Sequence, residues 1–274
     1  MQNKSLISHE ILYLYFEVIM LITENNLREI SRIGYVKSVV SLVPSLTETI
    51  ASLGAKSTLA GITRFCKYPE DIQKEVVIVG GTKDFDNEMI VSLKPDVVVA
   101  VKEENNEMRI LRLAKYLPVV LFDIVHVEDA FCMILMLGKL LDREKEARRL
   151  VEEIKKEFAQ IPEVLPKRKC LYLIWKRPWM AAGKETFINE MLNICSFENV
   201  AEGRYPEVTN EDFSQAEFLL LSTEPFPFKE KHRQELQQKY PSKKVLLVDG
   251  EMFSWYGNRM LKTGEYFKKL GYRL

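Results

Sequence analysis

The chain alternates short, continuous apolar runs with stretches whose apolar residues recur every three or four positions. Val36–Val43, Leu59–Thr63, Val76–Val79, Val97–Val101 and Pro118–Phe122 are runs of the first kind. They are rich in β-branched residues and bounded by Pro, Gly or polar side chains. Uninterrupted apolar strands of this length are buried on both faces, the pattern of a parallel sheet covered by helices. Helical spacing follows at Leu46–Gly54, Asn87–Leu93 and Glu103–Tyr116. Ser45 suits the N-cap of the first of these, with Glu48 three residues on and Gly54 closing it. The alternation is β-α-β and predicts an α/β lobe.

Two helical stretches come next. Val127–Leu141 is apolar on most sides and predicts a buried helix. Asp142–Ile161 is highly charged, with an apolar stripe at Ala147, Leu150, Val151, Ile154 and Phe158, and Pro162 and Pro166 stop it. A helix of that length spans about 30 Å and would serve as a stiff spine. The same alternation then resumes. Cys170–Ile174, Phe218–Ser222 and Val245–Val248 predict strands, and Lys184–Ile194 and Asn258–Leu270 predict helices. The expected fold is therefore α/β, two Rossmann-like lobes with parallel sheets joined by a single long backbone helix. The expected division is an N-terminal extension of unclear role (1–22), an α/β lobe (23–125), a helical linker with the spine (126–166) and a second α/β lobe (167–274).

The N-terminal run Ile11–Ile22 is one core-helix length of apolar sequence interrupted by Glu17. A membrane-spanning helix needs about 20 apolar residues. A signal peptide needs a basic start and a small-residue cleavage site, and neither that site nor a lipoprotein cysteine is read here. The expectation is a cytoplasmic protein, with a periplasmic one as the alternative. Met20 could be the true start.

Composition removes several functions. Lys and Arg number 39 and Asp and Glu 39, so there is no basic excess to hold nucleic acid. The four cysteines, Cys66, Cys132, Cys170 and Cys195, form no CxxC pair and no dense disulfide scaffold. Only three histidines occur, none in the loops considered below, which disfavours zinc or manganese uptake and leaves no expected metal site.

In two-lobed α/β binders the ligand lies in the cleft, against the carboxyl ends of the strands. That rule selects loops. Pro44-Ser45 opens a helix whose N–H groups favour anions, unless Ser45 only caps it. Arg64-Phe65-Cys66-Lys67-Tyr68 offers a cation and two ring walls. Thr82-Lys83 follows Gly80-Gly81, where backbone can approach closely. Glu103-Glu104-Asn105 ends an apolar strand and either reads polar ligand edges or feeds a helix start. In the second lobe, Trp175, Trp179, Tyr205, Trp255 and Tyr256 are aromatics in loops after strands, suited to stacking on a flat ligand. Cys66 would need a neighbouring base to act as a nucleophile; a plain thiol is the other reading.

In sequence order, VVSLVPSLTETIASLG, GITRFCKYP, VGGTKDFDNEMIVSLKPDVVVA, AGKETFINEMLNICSFENVA and Tyr205-Pro206-Glu207-Val208-Thr209 carry a resemblance. The chain resembles the helical-backbone (class III) substrate-binding proteins of ABC transporters, of the cobalamin- and iron-chelate-binding family, and especially members without an export signal. The likeness covers about Thr23 to Leu270. It implies non-catalytic binding of a corrinoid or iron chelate in the inter-lobe cleft, no catalytic cofactor, a monomer, and ABC permease subunits as partners. It also implies that Glu88 and Glu211 stand where the family's acidic residues dock on permease arginines. Thr82 stands where the cobalamin binders carry a stacking Trp, which makes this pocket more polar. Three readings stay open: an importer subunit, a cytoplasmic carrier of the same ligands, and an enzyme on the same scaffold using Cys66, Lys83 and Glu103 or Glu104.

Overall fold

Aliphatic runs become strands because a buried backbone must pair its N–H and C=O groups, and β-branched side chains fit the pleated surface. The computed structural model describes residues 19–22, 35–163 and 165–271, of which 19–22 and 271 are described by backbone alone. These residues fall into two compact units. The first runs to Ile124 and takes Glu128–Val151; the second takes Val125–Val127 and the chain from Glu152 onward.

The first unit is built on β1 (Ile19–Ile22), β2 (Val39–Ser41), β3 (Leu59–Ile62), β4 (Val77–Ile78), β5 (Val97–Val101) and β6 (Val119–Phe122). All pairings are parallel, in the order β1-β6-β5-β2-β3-β4. Its connecting helices are α1 (Pro44–Ser52), α2 (Ile72–Glu75), α3 (Asn87–Ser92) and α4 (Glu107–Leu113), and α5 (Val127–Leu140) follows β6. Every residue of β5 is buried. Val40, Val98 and Val119 pack with Ile90, Ile110 and Leu113 into one core cluster.

Helix α6 (Glu144–Phe158) carries the chain from the first unit into the second. It is shorter than the predicted Asp142–Ile161. Asp142 adopts a left-handed φ of 55° and breaks it from α5, a conformation that a short polar side chain tolerates.

The second unit contains β7 (Arg168–Trp175), β8 (Met180–Ala181), β9 (Phe197–Asn199), β10 (Phe218–Ser222) and β11 (Lys244–Val248). The order is β11-β10-β7-β8, with β9 also on β7. Its helices are α7 (Phe187–Ile194), α8 (Asn210–Gln215), α9 (Glu230–Lys239), α10 (Glu251–Ser254) and α11 (Met260–Gly271). This sheet is not wholly parallel: β8 returns antiparallel to β7 as a hairpin.

Several boundaries differ from expectation. Ile19–Ile22, the end of the apolar run expected to have core-helix length, is an edge strand parallel to β6. A short apolar run fits either state, and a free sheet edge decides. Residues 11–18 lie outside the described residues. Ser45 is not the N-cap of α1; Val43 is, and Pro44 takes the first helical position, where its missing N–H costs nothing. Helix α4 starts at Glu107, because Asn106 caps it by accepting from Arg109 N at 3.1 Å. Helix α7 starts at Phe187 behind the Thr186 cap. Helix α9 has too few apolar residues to show a period: only His232 and Leu236 are buried.

Candidate functional site

In the first unit the chain leaves β2 toward β3 and leaves β5 toward β6, on opposite sides. The strand order therefore reverses between the neighbours β2 and β5. Loops diverge at such a point and open a crevice at the carboxyl ends of the strands. The predicted loops of this unit all end there. Asn105 ties three of them together. Its Oδ1 accepts from Val101 N at 2.8 Å, and its Nδ2 donates to Leu42 O at 3.1 Å and Thr82 O at 2.9 Å. Asn105 is thus buried and committed to the scaffold. Lys83 Nζ reaches back to Glu103 O at 2.7 Å, pinning the loop that carries Glu103 and Glu104.

Arg64 was expected to meet an anionic ligand group. Its Nη2 donates to both oxygens of Asp84, at 2.9 and 2.8 Å, and its side chain is about half exposed. That guanidinium holds the Asp84 carboxyl below the usual carboxylate range. A Cβ on Gly81 would sit 2.2 Å from Asp84 Oδ1 and 2.7 Å from Arg64 Nη2, so a larger residue here would displace this pair. Arg64 also lies 5.0 Å above the Phe65 ring. Phe65 is 47% exposed at the end of β3.

Cys66 is fully buried, its Sγ 3.2 Å from Thr47 Oγ1 and 3.3 Å from Thr63 Oγ1. Burial pushes this thiol up, so it stays protonated at neutral pH. A buried, protonated thiol is a poor nucleophile. Pro44 and Ser45 are also buried. Helix α1 has no side-chain N-cap, and Ser45 Oγ has no hydrogen-bond partner among the described residues. Tyr68 is partly buried beside the cis Pro69.

In the second unit Trp175 ends β7, Trp179 lies in the turn after it, Tyr205 lies in the loop after β9, and Trp255 and Tyr256 follow β11 and α10; the structure sorts them. Trp175 is 41% exposed, edge-on to Phe226 at 5.6 Å, and Tyr205 is 38% exposed. Trp179 is partly buried: it stacks flat on Phe228 at 5.9 Å and meets Phe213 edge-on. Tyr256 is buried against Phe187 at 5.7 Å. Tyr256 is thus a core ring, whereas Trp179 packs on the edge of the core. Trp255 is clamped. Its Nε1 donates to Glu224 Oε1 at 3.0 Å, Ser254 Oγ donates to the same oxygen at 2.6 Å, and Arg259 lies 4.7 Å over its ring. Arg259 is itself fixed by Glu251 at 2.7 Å. Sequence reasoning missed Glu224, Ser254 and Arg259. The one available signal was Glu224-Pro225-Phe226-Pro227-Phe228, an aromatic-proline loop directly after a strand.

Glu88 and Glu211 are both exposed, each in the first turn of a helix. Glu88 lines a groove of about 740 Å³ with Arg109, Arg112, Lys115 and Tyr116. Glu211 accepts from Gln215 Nε2 at 3.1 Å. Among the described residues, no cluster of three or more His, Cys, Asp or Glu is placed to hold a metal ion.

A family model described as periplasmic binding protein matches residues 39–222. Over 176 residues the chain is 29% identical to an uncharacterised ABC transporter substrate-binding lipoprotein of Bacillus subtilis strain 168, covering 60% of this chain and 55% of that protein. It is 22% identical to a vitamin B12-binding protein of Pectobacterium atrosepticum, over 83% of this chain and 85% of that one. A periplasmic heme-binding protein of Pseudomonas aeruginosa superposes with a TM-score of 0.72 at 18% identity, over 87% of this chain and 93% of that one. A likeness at that identity shows a shared fold.

Proposed function

The chain belongs to the periplasmic binding protein family, and from that premise we propose that it is the substrate-binding component of an ABC importer, taking a corrinoid, heme or other iron chelate without chemical change. The observation that carries this reading is the set of half-exposed aromatics at or after strand ends: Phe65 in the loop after β3, Trp175 at the end of β7 and Tyr205 in the loop after β9. Exposed rings at strand ends suit a large flat ligand, because stacking recovers apolar area that water otherwise covers. Trp255, held by Glu224 and Arg259, is a pre-positioned wall of the same kind. The uncapped start of α1 and the Ser45 hydroxyl supply donors for a carboxylate or amide edge of the ligand. Lys83, Glu103 and Glu104 frame that edge. Glu88 and Glu211 are the proposed permease contacts.

An importer's binding component must meet its ligand outside the inner membrane. The lipoprotein and periplasmic descriptions of the relatives favour that location over the cytoplasmic expectation. Among the described residues no helix is long and apolar enough to cross a membrane. The enzyme alternative loses support from the buried, protonated Cys66.

Calorimetric and tryptophan-fluorescence titration of the full chain with cobalamin, cobinamide, hemin and a ferric siderophore tests the proposal. Saturation at micromolar affinity or tighter by one of them, weakened in Trp175→Ala, supports it. A folded protein that responds to none would move the assignment to a small polar ligand.

A further inference from the structure

The second sheet begins where its basic residues are densest. Lys167-Arg168-Lys169 opens β7 and Lys243-Lys244 opens β11. The register sets Cys170 and Lys244 on either side of Phe218, the first residue of β10. The two basic segments therefore converge on the amino edge of the sheet, the end away from the aromatic loops. A cavity of about 420 Å³ lies there, lined among others by Arg168, Ser214, Glu217, Ser242, Lys243 and Lys244.

Phe218 lies beneath two of these cations. Arg168 Cζ is 5.8 Å and Lys244 Nζ 5.4 Å from its ring centroid. Lys243 Nζ is anchored by donating to Ser214 O at 3.0 Å and to Ala216 O at 2.5 Å. An ammonium has three donors, so one remains. Arg168 Nη1 is buried and has no hydrogen-bond partner among the described residues. A buried charged donor without an acceptor is costly, and native structures rarely leave one unexplained. Glu217 is the one carboxylate in the lining; its Oε1 accepts from Lys169 N at 3.5 Å. Arg168, Lys243 and Lys244 outnumber Glu217 in the lining.

We propose that this cavity binds a phosphate-type oxyanion, which the Arg168 guanidinium grips while Lys243 and Lys244 balance its charge. A planar guanidinium matches two oxygens of such a group at once. The site shares no residue with the aromatic loops, so it stands whether or not the importer reading does. A free phosphate and a phospholipid headgroup present the same chemistry.

The test titrates the full chain with inorganic phosphate at constant ionic strength, by calorimetry and by phosphorus NMR. Saturable binding is expected, weakened about tenfold or more in Arg168→Gln, less in Arg168→Lys, and unchanged in Lys74→Gln of the first unit. Circular dichroism checks each fold, and Lys244→Gln substitutes if Arg168→Gln does not fold. Co-sedimentation with phosphatidylglycerol vesicles, set against phosphatidylcholine vesicles, forms the second arm. Retention that is competed by phosphate and lost in Arg168→Gln identifies a headgroup as the source. An absence of saturable binding in both arms, or binding equal in wild type and Arg168→Gln, overturns the site.

Discussion

Trp255 shows how a side chain is fixed by residues distant in sequence. Its indole N–H is held by Glu224, 31 positions earlier, and its face by Arg259. Glu224→Ala is expected to weaken chelate binding by about tenfold, roughly the loss of one charge-assisted hydrogen bond, with calorimetry as the readout. Full affinity in that variant would show that the clamp is structural. Cys66 makes the opposite point. Its buried, raised thiol should resist alkylation at neutral pH until the protein unfolds, and mass spectrometry after an iodoacetamide pulse measures this. Rapid native-state labelling would reopen the enzyme reading. Cys66 was visible as a candidate in the sequence; its burial was not, because the threonines that enclose it come from different elements.

Helix α6 meets a glycine in each unit. A Cβ on Gly138 of α5 would lie 2.4 Å from Ala147 Cβ, and one on Gly264 of α11 would lie 2.8 Å from Glu157 Cβ. Gly138→Ala should therefore destabilise by about 1–3 kcal/mol, the usual cost of overpacking, despite its better helix propensity; thermal melts check the sign. Helix α9 carries a pH response. His232 Nδ1 accepts from Lys229 N at 3.0 Å. Burial, and then the nearby Lys176, hold this histidine below its ordinary 6.5. A depressed folded-state value means that its stabilising effect is present above pH 6.5 and fades as pH falls through the folded value. Melting temperature should drop between pH 7 and 5, and His232→Gln should flatten that part of the profile. The elements themselves were largely legible. Val97–Val101 and Phe218–Ser222 form strands with the predicted bounds, since fully apolar runs leave no other use for their backbone.

For the molecule as a whole, ligand binding and stability are linked. A chelate that binds only the folded chain, present at about 100 times its Kd, should add ~2.7 kcal/mol of stability. A thermal-shift screen of corrinoids, hemes and siderophores should rank them in the same order as calorimetry. A discordant order would mean that the shifts reflect contact with the unfolded chain.

The sequence by itself determined the β-α-β grammar, the charged spine helix, the family and the loops that leave the strands. Hydrophobic period and motif order are local, and they survive in one dimension. Tertiary structure decided which members of those loops remain available. It buried Tyr256, packed Trp179 against Phe228, paired Arg64 with Asp84, tied Asn105 to three backbone partners, and brought Glu224 and Arg259 to Trp255. It also gathered two basic segments more than 70 residues apart at one sheet edge. Composition states what a side chain can do, but burial and hydrogen-bond partners decide what it has left to offer, and those come from elements that meet only when the chain folds.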